Sequence, residues 1–94
     1  MILNILDYIS SKNHLLRVKG RVIGAAGKSR KVIEDLTDTK ICVYGKTISI
    51  IGLPENVAAC RRAIESLLQG SPHSSVYKWL EKRRVELSRN DQES

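Results

Sequence analysis

The chain has 94 residues, which suits one small domain and excludes a deep cleft between two domains. It carries 16 Lys and Arg residues against 10 Asp and Glu residues, and the resulting formal net charge of +6 favours a polyanionic partner. No stretch approaches the ~20 apolar residues of a membrane span, and the first residues lack a basic segment followed by an apolar run. We therefore expect a cytoplasmic protein without a membrane partner.

The two cysteines, Cys42 and Cys60, lie too far apart for a C-x-x-C motif. No ligand spacing joins them to His14 or His73. The sequence therefore predicts no metal site and no cofactor. We expect both cysteines to be reduced, buried residues, with a disulfide as the alternative that the sequence leaves open.

The chain begins with a predicted strand and a predicted helix. Residues 2–8 are largely apolar and predict a short strand, and residues 13–23 predict a helix capped by Ser10 or Ser11. Gly20 weakens this helix, and its lack of a side chain would let another element pack closely against it.

A glycine-rich loop at residues 24–27 leads to a short amphipathic helix predicted over residues 28–36, which Thr37-Asp38 end. Glycine lets the backbone approach a bulky anion, and a helix N-terminus offers that anion N–H groups and a partial positive charge. The segment therefore predicts a phosphate site, and an ordinary helix–helix turn, which also uses glycine, is the alternative. The cations around the loop are Arg17, Lys19, Arg21, Lys28, Arg30 and Lys31.

The middle of the chain predicts a β-hairpin with a defined register. Residues 40–44 and 47–51 form the strands, and the two-residue loop Gly45-Lys46, with glycine first, suits a type II′ turn. Pairing Tyr44 with Thr47 separates an apolar face from a more polar one. The apolar face holds Ile41, Val43, Ile48 and Ile50, and the other holds Cys42, Tyr44, Thr47 and Ser49.

Two further helices are predicted after the hairpin. Pro54 suits the first position of a helix whose apolar spacing continues to Leu68, and Gly70 is a natural stop. Residues 71–75 predict a turn or hinge, and residues 75–87 predict a last helix. We expect the polar residues 88–94 to be frayed. In the last helix, Tyr77 and Trp79 stand beside the cluster Lys82-Arg83-Arg84. Either the aromatic rings pack back on the domain and the cations stay in solvent, or the cluster is a second RNA or protein contact.

This order of elements predicts an α+β fold. A three-stranded antiparallel sheet covered on one face by three helices would bury all the apolar stripes at once. We assign residues 1–70 to this domain and residues 71–94 to a hinge and a basic C-terminal helix, packed on the domain or extending from it.

The pattern resembles a KH domain of the type I order, β-α-α-β-β-α, with an extra C-terminal helix. KH domains clamp about four nucleotides of a single strand at a G-x-x-G loop, so the resemblance implies an RNA-binding module and not an enzyme. The matching residues are Gly20-Arg21-Val22-Ile23-Gly24-Ala25-Ala26-Gly27-Lys28, Ile33-Glu34-Asp35-Leu36-Thr37 and Lys40-Ile41.

Residues 44–52, 62–65 and 70–84 narrow the resemblance to the second KH domain of the partner-of-Nob family, especially its archaeal members. The resemblance implies binding of the 3′ region of small-subunit rRNA, in rRNA processing and ribosome assembly. It also implies a Nob-type endonuclease or a translation initiation factor subunit as candidate protein partners. Family members usually carry two KH domains in tandem, so we expect a companion KH domain to be missing from this chain.

The candidate RNA contacts follow from the loop and its surroundings. KH loops often carry a basic residue at the two central positions, which are Ala25 and Ala26 here. The backbone, Lys28, Arg30 and Arg21 would therefore contact phosphates. Bases would rest on an apolar platform beside the loop. Its members would be Val22, Ile23, Ile33 and Ile41, with plain core packing as the alternative, which we expect for Ile33. The candidates are Lys19, Arg21, Val22, Ile23, Gly24, Ala25, Ala26, Gly27, Lys28, Ser29, Arg30, Lys31, Lys40, Ile41 and Cys42.

Two other functions compete with RNA binding. Gly27-Lys28-Ser29 resembles the end of a nucleotide-binding P-loop, but the first glycine of that motif is replaced by Val22. The remaining alternative is a module that docks on an endonuclease or an initiation factor and contacts RNA little.

Replacing Gly24 by Asp, or Ala25 and Ala26 together by Asp, is expected to leave the fold intact and abolish RNA binding. An added side chain blocks close approach, and its negative charge repels phosphate. Fluorescence anisotropy with single-stranded RNA measures the effect, and an unchanged affinity would contradict the loop assignment. Crosslinking of the wild type and the loop variant to total RNA, with site mapping, would identify the RNA.

Overall fold

The computed structural model describes residues 1–9 and 12–93, which form a three-stranded antiparallel sheet and four α-helices. One-turn 3-10 helices lie at Ile5–Asp7, Lys12–His14 and Ala25–Gly27. The predicted α+β fold with an extra C-terminal helix is confirmed. In chain order the elements are β1 (Ile2–Asn4), α1 (Leu15–Ile23), α2 (Lys28–Thr37), β2 (Lys40–Tyr44), β3 (Thr47–Ile51), α3 (Pro54–Leu68) and α4 (His73–Glu93).

The hairpin forms with the predicted register. Tyr44 lies opposite Thr47, and Ile41 lies opposite Ile50. Gly45 has a φ of 56°, and Lys46, which follows it, does not have a positive φ. A type II′ turn requires this combination. β3 also pairs with β1 and is therefore the central strand, so β2 is an edge of the sheet.

The core lies between the inner face of the sheet and the helices. Residues from all three strands, α1, α2 and α3 meet there, and full burial of one such side chain contributes about 1.5–3 kcal/mol. The most deeply buried members include Val22, Ile33, Ile48, Ile50, Ile64 and Leu67.

The two cysteines are free and lie in different environments. Cys60 in α3 is fully buried, and this burial raises the pKa of its thiol. Cys42 is exposed, so its predicted burial is wrong. The side chains of β2 alternate between the two faces of the sheet, and Cys42 follows the buried Ile41, so it points away from the helices.

Buried threonines join the end of α2 to the sheet. The Thr37 hydroxyl donates to the Ile33 carbonyl at 2.7 Å and lies 2.8 Å from the Thr39 hydroxyl. Between them, Asp38 adopts a left-handed conformation with φ 52°, which Asp tolerates better than most residues. The helix thus ends one residue later than predicted, and the chain turns directly into β2.

The first strand is shorter than predicted. It ends at Asn4, because the side-chain oxygen of Asn4 accepts from the Leu6 N–H at 3.0 Å and so starts a 3-10 turn. α1 begins at Leu15, after another 3-10 turn, instead of at residue 13. The predicted caps Ser10 and Ser11 lie outside the described residues.

The C-terminal helix is longer than predicted at both ends. It starts at His73, where the Pro72 carbonyl accepts the first helical hydrogen bond, and it continues to Glu93. The predicted frayed end is therefore wrong over residues 88–93, and residue 94 is outside the described part. Val76 and Leu80 bury the first half of α4 against the core. The division at residue 70 stays a prediction.

Gly20 does not serve close packing. It is exposed, and a Cβ built on it would meet nothing within 4 Å. Gly20→Ala is therefore expected to stabilise α1 by about 0.5–1 kcal/mol, since Ala loses less backbone entropy in a helix. Thermal unfolding should show a melting temperature raised by roughly 2–8 °C. A lowered melting temperature would contradict the open environment of Gly20.

Candidate nucleic-acid interface

The glycine-rich loop makes a tight turn between α1 and α2. The Gly24 N–H donates to the Gly20 carbonyl at 2.8 Å, and the Gly27 N–H donates to the Gly24 carbonyl at 3.1 Å. Three of the four loop residues have positive φ angles, 76° at Gly24, 54° at Ala26 and 75° at Gly27. The backbone therefore reverses within four residues, and Ala25 and Ala26 are exposed at its apex.

Gly24 lies directly against the first turn of α2. A Cβ on Gly24 would stand 2.7 Å from both the Cβ and the backbone nitrogen of Ser29, which is only 2 % exposed. Ser29, a candidate RNA contact, is thus buried and packs against Gly24 below the loop. Our expectation that Gly24→Asp leaves the fold intact is wrong, because the new side chain would collide with backbone.

The start of α2 presents positive charge to solvent. The helix begins at Lys28, and the residue that precedes it, Gly27, provides no side-chain cap. N–H groups of a first helical turn are suited to bind an anion. Lys28, Arg30 and Lys31 are all exposed around this end, as the charge pattern predicted.

Arg21 is placed differently from the other cations. Its guanidinium donates to the Ser71 carbonyl, and its own carbonyl accepts from the His73 ring nitrogen Nε2 at 2.7 Å. Arg21 therefore connects the end of α1 to the turn before α4, which commits part of its guanidinium to the fold. Lys19, in the same helix, is half-buried.

The apolar platform is smaller than the sequence suggested. Val22 and Ile33 are fully buried, and Ile41 is 3 % exposed, so these side chains are core residues that a base could not reach. Ile23 is half-buried and keeps part of its surface beside the loop.

A surface cavity of about 670 Å³ adjoins the loop. It brings together five of the candidates, Ala26, Gly27, Arg30, Lys31 and Lys40. Cys42 is not part of its lining and lies on the opposite face of the sheet. Our sequence reasoning missed the other residues that line the cavity, which are Glu34, Asp35, Asp38, Thr39 and Arg84.

Glu34 links this cavity to the edge of the sheet. Its carboxylate oxygen Oε2 accepts a hydrogen bond from the Ile41 backbone N–H at 2.7 Å. Glu34 lies next to the buried Ile33 on α2, and its side chain reaches β2. In the sequence, Glu34 could have been identified as a carboxylate on the helix that precedes the unpaired edge strand of the predicted hairpin.

The two aromatic rings of α4 differ in burial, since Tyr77 is half-buried and Trp79 is exposed. Tyr77 lies against the core, and the Arg62 guanidinium sits 5.2 Å from the centre of the Trp79 ring. Two cations of the C-terminal cluster also make contacts with the domain. Arg83 bonds the Asn56 side chain at 3.2 Å, and Arg84 lies 3.4 Å from the Asp35 carbonyl.

No group of three or more His, Cys, Asp or Glu side chains in the described part of the chain could hold a metal ion. Within residues 1–9 and 12–93, none of the helices has both the length and the apolar surface that crossing a bilayer requires.

Comparison with known protein families identifies the family of this chain. The family model for the second KH domain of PNO1, a eukaryotic type KH-domain (KH-domain type I), matches residues 1–85. The chain belongs to this family. The match extends through the first half of α4, so the extra helix is largely included in the family pattern.

Similar proteins come from archaea and eukaryotes. The KH domain-containing protein MJ0443 of Methanocaldococcus jannaschii is 47% identical over 88 residues, covering 94% of this chain and 39% of that protein. The RNA-binding protein PNO1 of Oryzias latipes is 42% identical over 65 residues, 69% of this chain and 27% of that protein. The chain thus spans less than half the length of these two relatives.

A solved structure of this family supports the fold. The crystal structure of the a/eIF2alpha-aDim2p-rRNA complex from Pyrococcus horikoshii OT3 contains a chain that is 44% identical to this one. The match has a TM-score of 0.85 and covers 92% of this chain and 46% of the other.

Gly24→Ala should destabilise the domain by about 1–3 kcal/mol, because the φ of 76° is strained for alanine and the Cβ would meet the Ser29 backbone. The control is Gly27→Asn, since Gly27 has φ 75° and open space around a Cβ, and Asn tolerates a left-handed conformation. Thermal unfolding of both variants measures the difference. Equal melting temperatures would contradict the close contact below the loop.

Proposed function

We propose that this chain binds single-stranded RNA across the loop at residues 24–27. The observation that carries the proposal is the exposed, side-chain-poor turn at Ala25 and Ala26, which leads into an α-helix start surrounded by Lys28, Arg30 and Lys31. A sugar–phosphate strand can approach such a backbone closely, and the cations offset its charge. The adjoining cavity offers space for bases beside the same turn.

The proposed RNA is the 3′ region of small-subunit rRNA, in its maturation and in ribosome assembly. Support comes from the family of the chain and from the Pyrococcus relative, which was crystallised with rRNA and a/eIF2alpha. An initiation factor subunit and a Nob-type endonuclease are the proposed protein partners, and a companion KH domain would complete the tandem arrangement. The proposed role is binding without catalysis, in the cytoplasm.

Replacing Ala25 and Ala26 together by Asp tests the loop without disturbing its support. Both residues are exposed, and the left-handed φ of Ala26 suits Asp. Affinity for single-stranded RNA should fall at least about tenfold, since each of the two added charges at 4 Å from a phosphate costs about 1 kcal/mol even in water. Fluorescence anisotropy measures this loss.

The matched control replaces both alanines by Asn. Asn has nearly the size of Asp and the same tolerance of the loop conformation, but it carries no charge. The Asn pair should retain most of the affinity. If both pairs bind RNA as the wild type does, RNA does not use this loop.

The alternative is docking on a protein through an apolar surface. The observation that favours it is the exposed apolar side chains of α4, Trp79, Val85 and Leu87. Salt separates the two functions. For single strands log K falls by about 0.7 per contacted phosphate for each unit of log[salt], so about four contacts predict a slope of roughly −2 to −3. A nearly flat salt dependence of RNA binding would contradict the phosphate contacts.

A further inference from the structure

The edge of β2 next to the loop is already occupied by a side chain of this protein. The Ile41 N–H points away from β3, because it donates to Glu34 Oε2 at 2.7 Å. In an antiparallel strand the N–H and C=O of one residue point to the same side. The Ile41 carbonyl therefore also faces the open edge, beside the Glu34 carboxylate.

This edge borders the cavity where a base would lie. Glu34 lines the cavity together with Ala26 and Gly27 of the loop. Among the described residues Glu34 has no salt bridge, although Arg30, Lys31 and Lys40 line the same cavity. Glu34 is partly buried, and its carboxylate keeps acceptor capacity beyond the bond to Ile41.

The two groups that the hydrogen bond between α2 and β2 holds at this edge, the Glu34 carboxylate and the Ile41 carbonyl, are therefore hydrogen-bond acceptors. A carboxylate has about four lone-pair positions and no donor, and the one donor of Ile41 is already used. A base acceptor placed against these two groups would lose hydrogen bonds to water without replacement. A base that presents N–H groups would instead be satisfied.

We propose that Glu34 is a specificity-determining residue, which selects a base with N–H donors on its Watson–Crick edge at the position beside the loop. This inference rests on the proposed RNA binding and identifies the base class. Guanine fits best, because its adjacent N1–H and N2–H₂ donors match the two oxygens of a carboxylate. Uracil, with one N–H between two carbonyl oxygens, fits worst.

The test uses fluorescence anisotropy with pools of hexanucleotides in which one position is fixed as G, A, C or U and the others are random. At one position the wild type should favour G over U by about tenfold, the size of a good base-edge contact. Inosine, which lacks the N2 amino group, should lose part of that preference. Glu34→Gln should reduce the G-to-U ratio to within about threefold.

Glu34→Gln keeps an oxygen that can accept from Ile41, so the strand edge stays paired. Removing a negative charge raises affinity for every pool, and for this reason the readout is the ratio of affinities. Asp35→Asn is the matched control, because it removes the same charge from an exposed residue of the same cavity. It should raise affinity and leave the ratio unchanged.

The outcomes separate this inference from RNA binding itself. If RNA binds and the Ala25, Ala26 pair of Asp substitutions weakens it, but no position prefers G, the role of Glu34 is overturned. The same holds if Glu34→Gln keeps the full preference, since Glu34 would then only pair the strand edge. If the wild type binds no pool, the proposed function fails as well.

Discussion

The close contact between Gly24 and Ser29 is the constraint on which the candidate site depends. Because Gly24 has no side chain, the end of α1 can lie directly against the first turn of α2. A Cβ on Gly24 would stand 2.7 Å from the backbone nitrogen of Ser29. This contact lets the chain reverse in four residues and places the helix start beside the exposed apex of the loop.

The same region is connected to the C-terminal helix. Arg21, three residues before Gly24, contacts Ser71 and His73 around the start of α4. Further along α4, Arg84 reaches the cavity beside the loop. The start of α4 is thus attached to the end of α1 just before the loop, and Arg84 further along α4 helps to line the cavity beside the loop. The helix does so although it lies outside the β-α-α-β-β-α core.

Charge and hydrogen bonding have separate roles at this surface. The exposed cations around the start of α2 can interact with any phosphate, so they contribute affinity without sequence preference. Discrimination between bases requires groups fixed at the edge of a base. Glu34 and Ile41 are held by a hydrogen bond between helix and strand, so they offer fixed acceptors in a cavity that both cations and carboxylates line.

The amino-acid sequence by itself determined the local features of this protein. Strict alternation predicted both the register and the faces of the hairpin, and glycine spacing with clustered cations located the loop. These features depend on neighbours a few residues apart, so they follow from periodicity and backbone preferences. The RNA-contact role of the candidates stays a prediction.

Only the tertiary structure decided which of those candidates can face a ligand. Val22 and Ile41 are buried because other elements cover them, and Arg21 is partly committed to a turn fifty residues away. Glu34 and Arg84 border the cavity because a helix packs beside an edge strand and another helix folds back. Such placements depend on contacts between distant segments, which the periodicity of a single segment does not contain.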